Sequence, residues 1–592
     1  LMGLGLLVGI VGGVGAVAFR ELIVGVTTVA TGQSDYGLAA RVPNPHVPWL
    51  GIWFVVLAPV VGGLLYGPLI SRFAPEARGH GVPEVMLAVS EDGGRIRIRV
   101  AAVKALGSAL CIGTGGSVGR EGPIVQIGSA LGSGLGQLLD LPESRVRLLV
   151  ACGAAAGISA TFNAPVAGVF FALELILGEF EVEAFGVVVL ASVTADVIGR
   201  AAFGSQPFLT LPTFQQQSLW EYGLYAGLGV LAAVSATAFV KTLYGFEDTA
   251  DAIWKGPRWL RPAVGGLLLG GLLLVLPQMY GVGYPVLRHA VGGGYALWFL
   301  IGLLVGKLVA TSLTMAIGGS GGVFAPSLFM GAMLGTAYGD SISRFAPHLT
   351  GQPGAYGLVG MGAFFAAASR APITAVLIIF ELTGDYHIIL PLMVAIVVAT
   401  WMASKLAQDS IYTLKLRRRG IDILNRRAPA LQQITVEQAM SAPPEPIPWR
   451  ATLSELVDRF SAEHAACLPV ADTQGYAGVI TVGHLDRAVA EQRLEACADD
   501  LADDVPTLAP SQKLDAGLEH LLSEEPGGLP VLSPERDLIG WITDRDILTA
   551  YRNHLKHPDS NHISARRTNA HGTTRFPEHE ANQPIAIVGA KP

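Results

Sequence analysis

Apolar stretches recur from residue 1 to about residue 405 and then stop. Several have the length of roughly 20 residues that carries an α-helix across a bilayer, and others are distinctly shorter. Spans are expected at 49–70, 100–111, 185–198, 219–240, 263–276, 297–315 and 388–406. Glycine or proline breaks the shorter pieces at 79–83, 113–123, 163–165, 318–326 and 370–372. Irregular backbone at membrane depth is tolerated only where protein buries it or where it lines a cavity, so these breaks mark where a site belongs. The opening run LMGLGLLVGIVGGVGAVAF ends at Arg20 and Glu21 without a small-residue cleavage site. That favours a trimmed or truncated first membrane helix over a signal peptide.

Two parts of this pattern resemble each other. Aligning Pro165 with Pro372 pairs Gly153 with Gly360, Ala164 with Ala371, Val169 with Val376, and Glu174-Leu175 with Glu381-Leu382. Pro123 of GREGP precedes the first copy as Pro326 of GGVFAP precedes the second. Paired, Gly/Pro-interrupted hydrophobic segments point to repeats with a binding site between them. The expected fold is an α-helical polytopic membrane protein with inverted-topology repeats, followed by a separate α/β module.

Composition agrees. Only 15% of the 592 residues are charged and mean hydropathy is +0.47, whereas soluble domains carry roughly 25% charge. Seventy-three glycines suit closely packed membrane helices. The net charge of −7 resides mostly in loops and in the last third, and no nucleic-acid footprint is present. Cys111, Cys152, Cys467 and Cys497 show neither metal-ligand spacing nor a disulfide framework. The chain has no nucleophile and base constellation, metal cluster or phosphate-binding loop, which argues against an enzyme.

Gly119-Arg120-Glu121-Gly122-Pro123 follows GTGGSV and leads into an apolar helix. Glycine lets the backbone approach an ion, and proline at a helix start removes no needed donor. The open amides of the helix, aided by its dipole, then face an anion. The same logic covers Gly79-His80-Gly81-Val82-Pro83 and the run ending in Gly322-Val323-Phe324-Ala325-Pro326. Three such starts make a weak anion site without any full positive charge, as an ion that must also leave requires.

In their order, these motifs resemble the CLC family of chloride channels and transporters, and the likeness covers nearly all of residues 1–415. The resemblance implies a homodimer and a central chloride held by the amides of Val323 and Phe324, the hydroxyl of Tyr412 and the turn around His80 and Gly81. It also implies that Glu121 is the gate, its carboxylate filling an anion position until protonated or displaced. An ionisable group inside a membrane is costly unless functional; the plain alternative is a helix-start acid favoured by the dipole. Tyr412, in S-I-Y, is otherwise an interfacial anchor.

Two positions depart from the family. His80 stands where many members have serine, and it either donates an N–H, charges, or points away. Leu175 stands where exchangers commonly carry an inner glutamate, and leucine carries no proton. Glu174 and Glu381 read as structural, hydrogen-bonded acids rather than a relay. Passive chloride conduction is therefore expected, with proton/chloride antiport as the alternative and a membrane-anchored nucleotide sensor as a second.

The composition changes after Tyr412. Lys415, Arg417, Arg418 and Arg419 place the C-terminus in the cytoplasm by the positive-inside rule. Boundaries are expected at 1–415 for the membrane domain, 416–433 for a basic linker, 434–553 for the α/β module and 554–592 for a disordered tail. The module holds two similar halves, each helix, strand, turn, strand, helix, which resembles a tandem CBS pair. In W-I-T-D-R-D, Thr543 and Asp546 either meet the phosphate and ribose of an adenine nucleotide, as the resemblance implies, or simply cap a helix. The first half offers Thr481 and Asp486 at a different spacing.

Overall fold

The computed structural model describes residues 1–556 apart from 39–40, 179, 181, 206–208, 210–219, 348–350, 422–430, 432–433, 464, 474, 494, 516, 519–520 and 522–526. The expected disordered tail and most of the expected basic linker lie outside the described residues. The chain divides into two compact units, Leu1–Ile423 and Leu424–Pro592.

The first unit is helical: α1 (Met2–Thr31), α2 (Phe54–Phe73), α3 (Val82–Ser90), α4 (Arg99–Gly113), α5 (Glu121–Leu138), α6 (Glu143–Phe162), α7 (Pro165–Phe171), α8 (Val182–Phe203), α9 (Glu221–Ile253), α10 (Arg261–Val275), α11 (Tyr284–Val291), α12 (Leu297–Ala316), α13 (Phe324–Phe345), α14 (Pro353–Ser369), α15 (Pro372–Thr383), α16 (Ile389–Leu406) and α17 (Thr413–Arg417). Among the described residues, seven helical stretches are long and apolar enough to cross a membrane. Helix α9 runs past the apolar span expected to end near residue 240. Its polar last turns stay helical while Glu247, Asp248 and Asp251 pair with Lys415, Arg418 and Arg261.

The repeat is visible in the backbone. Helices α6 and α14 both end on a left-handed residue, Asn163 (φ 56°) and Arg370 (φ 62°), and the following Ala-Pro opens α7 and α15. Gly128 meets Gly153 where α5 crosses α6, and Gly331 meets Gly360 where α13 crosses α14. A Cβ at any of the four would press on a carbonyl of the facing helix, so these crossings require glycine.

In the second unit, β1 (Ile447–Pro448) runs parallel to β2 (Cys467–Asp472), which pairs antiparallel with β3 (Gly475–Thr481). The second half repeats the plan. Leu508 bridges Val531 in parallel, and β4 (Leu529–Leu532) pairs antiparallel with β5 (Leu538–Ile542). A helix follows each hairpin, Val482–Ala490 and Asp544–Lys556, and Trp541 of the second half packs on Cys467 and Val479 of the first.

Candidate functional site

The three motifs that break the apolar pattern meet. Gly119 and Gly322 exchange two backbone hydrogen bonds of 2.7 Å. Gly79 donates to the Gly319 carbonyl at 3.1 Å and accepts from Gly321 at 3.3 Å. This ladder ties together the starts of α3, α5 and α13. In each helix the first intrahelical bond closes back on Gly81, Arg120 or Val323, at 3.3, 3.0 and 3.0 Å. The amides of the first turn therefore have no intrahelical acceptor, and Pro83, Pro123 and Pro326 occupy positions where a missing N–H costs nothing.

Glu121 opens α5 and is buried. Its Oε1 accepts a hydrogen bond from the Tyr284 hydroxyl, while Oε2 has no hydrogen-bond partner among the described residues. The carboxylate lies over Gly119 and within electrostatic reach of the Ala325 amide on α13. A Cβ on Gly119 would stand 2.2 Å from Oε2 and 3.2 Å from the Ala325 nitrogen, so only glycine leaves room for this seat. Phe324 is buried between Phe162 and Phe365, at ring distances of 5.6 and 4.4 Å, which fixes the start of α13.

Tyr412 is buried within electrostatic reach of Glu121. Its turn is held by Ser410, whose Oγ accepts from the amides of Tyr412 and Thr413, and by the Ile411 amide bonded to the Ala368 carbonyl at 2.8 Å. The Tyr244 hydroxyl donates to the Ile411 carbonyl at 2.6 Å, and the Tyr244 ring lies 6.3 Å from that of His80. His80 is buried, and neither ring nitrogen has a partner among the described residues. Val82 and Gly122 are also buried, and Arg120 immediately precedes α5 with its guanidinium 5.5 Å from the Tyr284 ring.

Two buried lysines, which the reading of a site without full positive charge did not include, stand immediately behind the turns. Lys104 of α4 is buried and donates to the Ala77 and Gly79 carbonyls, both at 2.9 Å. Lys307 of α12 is buried and donates to Ser117 Oγ and to the Gly281 and Val282 carbonyls, each at 3.0 Å. A constant offset pairs Lys104 with Lys307, Ser108 with Thr311, Ser117 with Ser320 and Gly119 with Gly322. With the offset shortened by one residue, Gly281-Val282-Gly283-Tyr284-Pro285 is the repeat partner of the His80 turn, and it supplies the tyrosine that holds Glu121. This fourth turn was readable as GxGxP, but its central residues match too poorly to stand out.

Glu174 and Glu381 cap each other's repeat. The Glu174 carboxylate accepts from the amides of Ile373 and Thr374 at 3.1 and 2.8 Å and from Thr374 Oγ1 at 2.6 Å. Glu381 accepts from the amides of Val166 and Ala167 at 3.0 and 2.7 Å. Both acids thus satisfy open amides at the starts of α15 and α7.

In the second unit, Thr543 and Asp546 are spent on one another. Asp546 Oδ2 accepts from the Thr543 amide at 2.9 Å and from its hydroxyl at 2.6 Å, which caps the helix that begins at Asp544. Thr481 caps the corresponding helix of the first half, with His484 in place of an acid.

Comparison with known proteins follows the same division. The family profile described as voltage gated chloride channel matches residues 62–404, and that of the CBS domain matches residues 498–553. A protein of Ralstonia nicotianae named putative chloride channel protein ClcB-like is 36% identical over 426 residues, covering 71% of this chain and 97% of its own length. The H(+)/Cl(−) exchange transporter ClcA of Vibrio cholerae is 34% identical over 424 residues, 70% of this chain and 88% of that protein. The crystal structure of a slow cyanobacterial Cl−/H+ antiporter superposes with a TM-score of 0.64 at 26% identity, covering 71% of this chain and 97% of that one. A eukaryotic CLC transporter, at 21% identity and a TM-score of 0.61 over 92% of this chain and 97% of its own, shares the fold. Matched motifs, repeat architecture and relatives agree: the chain is a multi-pass membrane protein of the voltage-gated chloride channel family, CLC, with a C-terminal CBS domain.

Proposed function

We propose that the protein exchanges chloride for protons across a membrane, with the Glu121 carboxyl serving both ions. The observation that carries this reading is the seat of that carboxylate, buried at the paired starts of α5 and α13, with one oxygen held by Tyr284 and the other unpartnered among the described residues. A carboxylate seated at open helix-start amides occupies the place of an anion and leaves it on protonation. One group then couples the two fluxes. The names of the ClcA relatives and of the cyanobacterial antiporter support exchange over the passive conduction expected from Leu175. Passive conduction retains one observation: Glu174 is engaged in capping and Leu175 is its neighbour, so neither offers an inner proton site. In liposomes, an outward chloride gradient is expected to drive protons inward against their own gradient. Chloride efflux with no proton uptake returns the protein to the channel reading.

In this reading the transported chloride meets the first-turn amides of Val323 and Phe324, the Tyr412 hydroxyl and the Gly79–Pro83 turn. His80 contributes a ring N–H to the ion, since both of its nitrogens are buried without another partner among the described residues. A neutral hydrogen bond contributes about 0.5–1.5 kcal/mol. His80→Ser is therefore expected to change the chloride/nitrate flux ratio about two- to tenfold. An unchanged ratio assigns His80 to packing alone.

The CBS domain is placed in the cytoplasm on the strength of the basic residues after α16, and the protein is taken to be a homodimer with one pathway per subunit, as in its family. An adenine nucleotide at Thr543 and Asp546 has less support, because the two side chains already satisfy each other.

A further inference from the structure

A cavity of about 530 Å³ opens beside the first turn of the pathway, with Gly79 and Gly318 in its wall. Five cations and two acids line it. Arg261 is paired with Asp251, and Lys415 lies 3.7 Å from Glu247. The remaining three, Arg78, Lys255 and Arg258, have no carboxylate partner among the described residues. Arg78 donates to Ser71 Oγ at 3.1 Å, its Nε is buried and unpartnered among the described residues, and it lies within electrostatic reach of Arg258 and Arg261 as well as of Asp251.

The three arginines that follow Tyr412 differ. Arg417, Arg418 and Arg419 are each matched with an acid, Asp409, Asp248 and Glu84. Unmatched cations gathered in one concavity repel each other, and a single chloride answers only one of them. A phosphate group presents several oxygens to guanidinium forks and ammonium groups at once, and cavities of about 300–1,000 Å³ hold small molecules.

We propose that this cavity binds a polyvalent, phosphate-bearing anion. Seated against Gly79, the ligand stands at the mouth of the anion pathway and slows chloride passage. Binding stands on the cavity alone, while its effect on flux rests on the transport reading above. The shared chemistry is a terminal phosphate, whether free in solution or on a lipid headgroup.

The test uses the full chain and the double variant Lys255→Gln/Arg258→Gln, whose side chains are exposed and lie outside the ladder that holds the pathway. Equilibrium dialysis against labelled inorganic pyrophosphate at fixed ionic strength reads binding. Chloride efflux from liposomes, with pyrophosphate on either side, reads the effect. The expected result is binding to the wild type, weakened about tenfold or more in the variant, and slowed efflux from one side only, which the variant escapes. Equal binding by both proteins, or equal displacement by sulfate and pyrophosphate, overturns the proposal. Replacing part of the phosphatidylcholine by phosphatidic acid separates the sources. Slowing of the wild type alone by that lipid assigns the site to a headgroup, and slowing by pyrophosphate alone assigns it to a soluble ligand. Efflux without any addition reads the transport function separately, so its absence would sink that function while dialysis still tests the cavity.

Discussion

Glu121→Gln is expected to abolish proton movement while leaving chloride flux that no longer responds to pH. The amide is close to isosteric with the carboxyl but neither carries a proton nor competes as an anion. In the wild type the sign is set by the carboxyl itself. Above its pKa the protonated fraction rises about tenfold for each unit fall in pH, and each protonated carboxyl vacates an anion position. Chloride flux should therefore climb as pH falls and level off once the group is mostly protonated. In the variant the same scan should be flat. Paired chloride and pH electrodes on liposomes measure both quantities, and a variant that keeps its pH slope excludes Glu121 as the coupling group.

The second large effect concerns stability. Glu174 receives three hydrogen bonds from the start of α15, and Glu381 receives two from the start of α7. Charged hydrogen bonds contribute about 1.5–3 kcal/mol each when buried, and a capping residue about 0.5–2 kcal/mol. Both acids are partly exposed, so Glu174→Ala or Glu381→Ala should each destabilise the protein by about 1–3 kcal/mol. The loss appears as a lower thermal midpoint in detergent. Protein that remains folded should keep its ratio of protons to chloride. A lost ratio with an unchanged midpoint would instead make Glu174 a proton relay.

These expectations trace what was legible along the chain. The Gly/Pro breaks at 79–83, 113–123 and 318–326 were readable because they interrupt apolar runs, and they proved to be the three turns joined by the glycine ladder. Lys104 and Lys307 were not, because a single cation within an apolar span carries no periodic signal. Their acceptors, Gly79 and Gly281, lie 25 and 26 residues upstream and become partners only when the helices pack. Glu174 and Glu381 were legible as hydrogen-bonded acids. That each caps the other repeat depends on α7 meeting α15, a contact between residues some two hundred positions apart. The polar end of α9 fell outside the apolar pattern because its carboxylates, not its hydrophobic residues, hold it in place.

The central claim is that the Glu121 carboxylate sits where an anion otherwise would. Anomalous diffraction from crystals grown in bromide tests it directly, comparing the wild type at neutral pH with Glu121→Gln. The expected result is a bromide peak in the variant at the position the carboxylate leaves, beside Gly119 and the Ala325 amide, and no peak there in the wild type. An empty position in the variant, or bromide bound there alongside the wild-type carboxylate, would contradict the account.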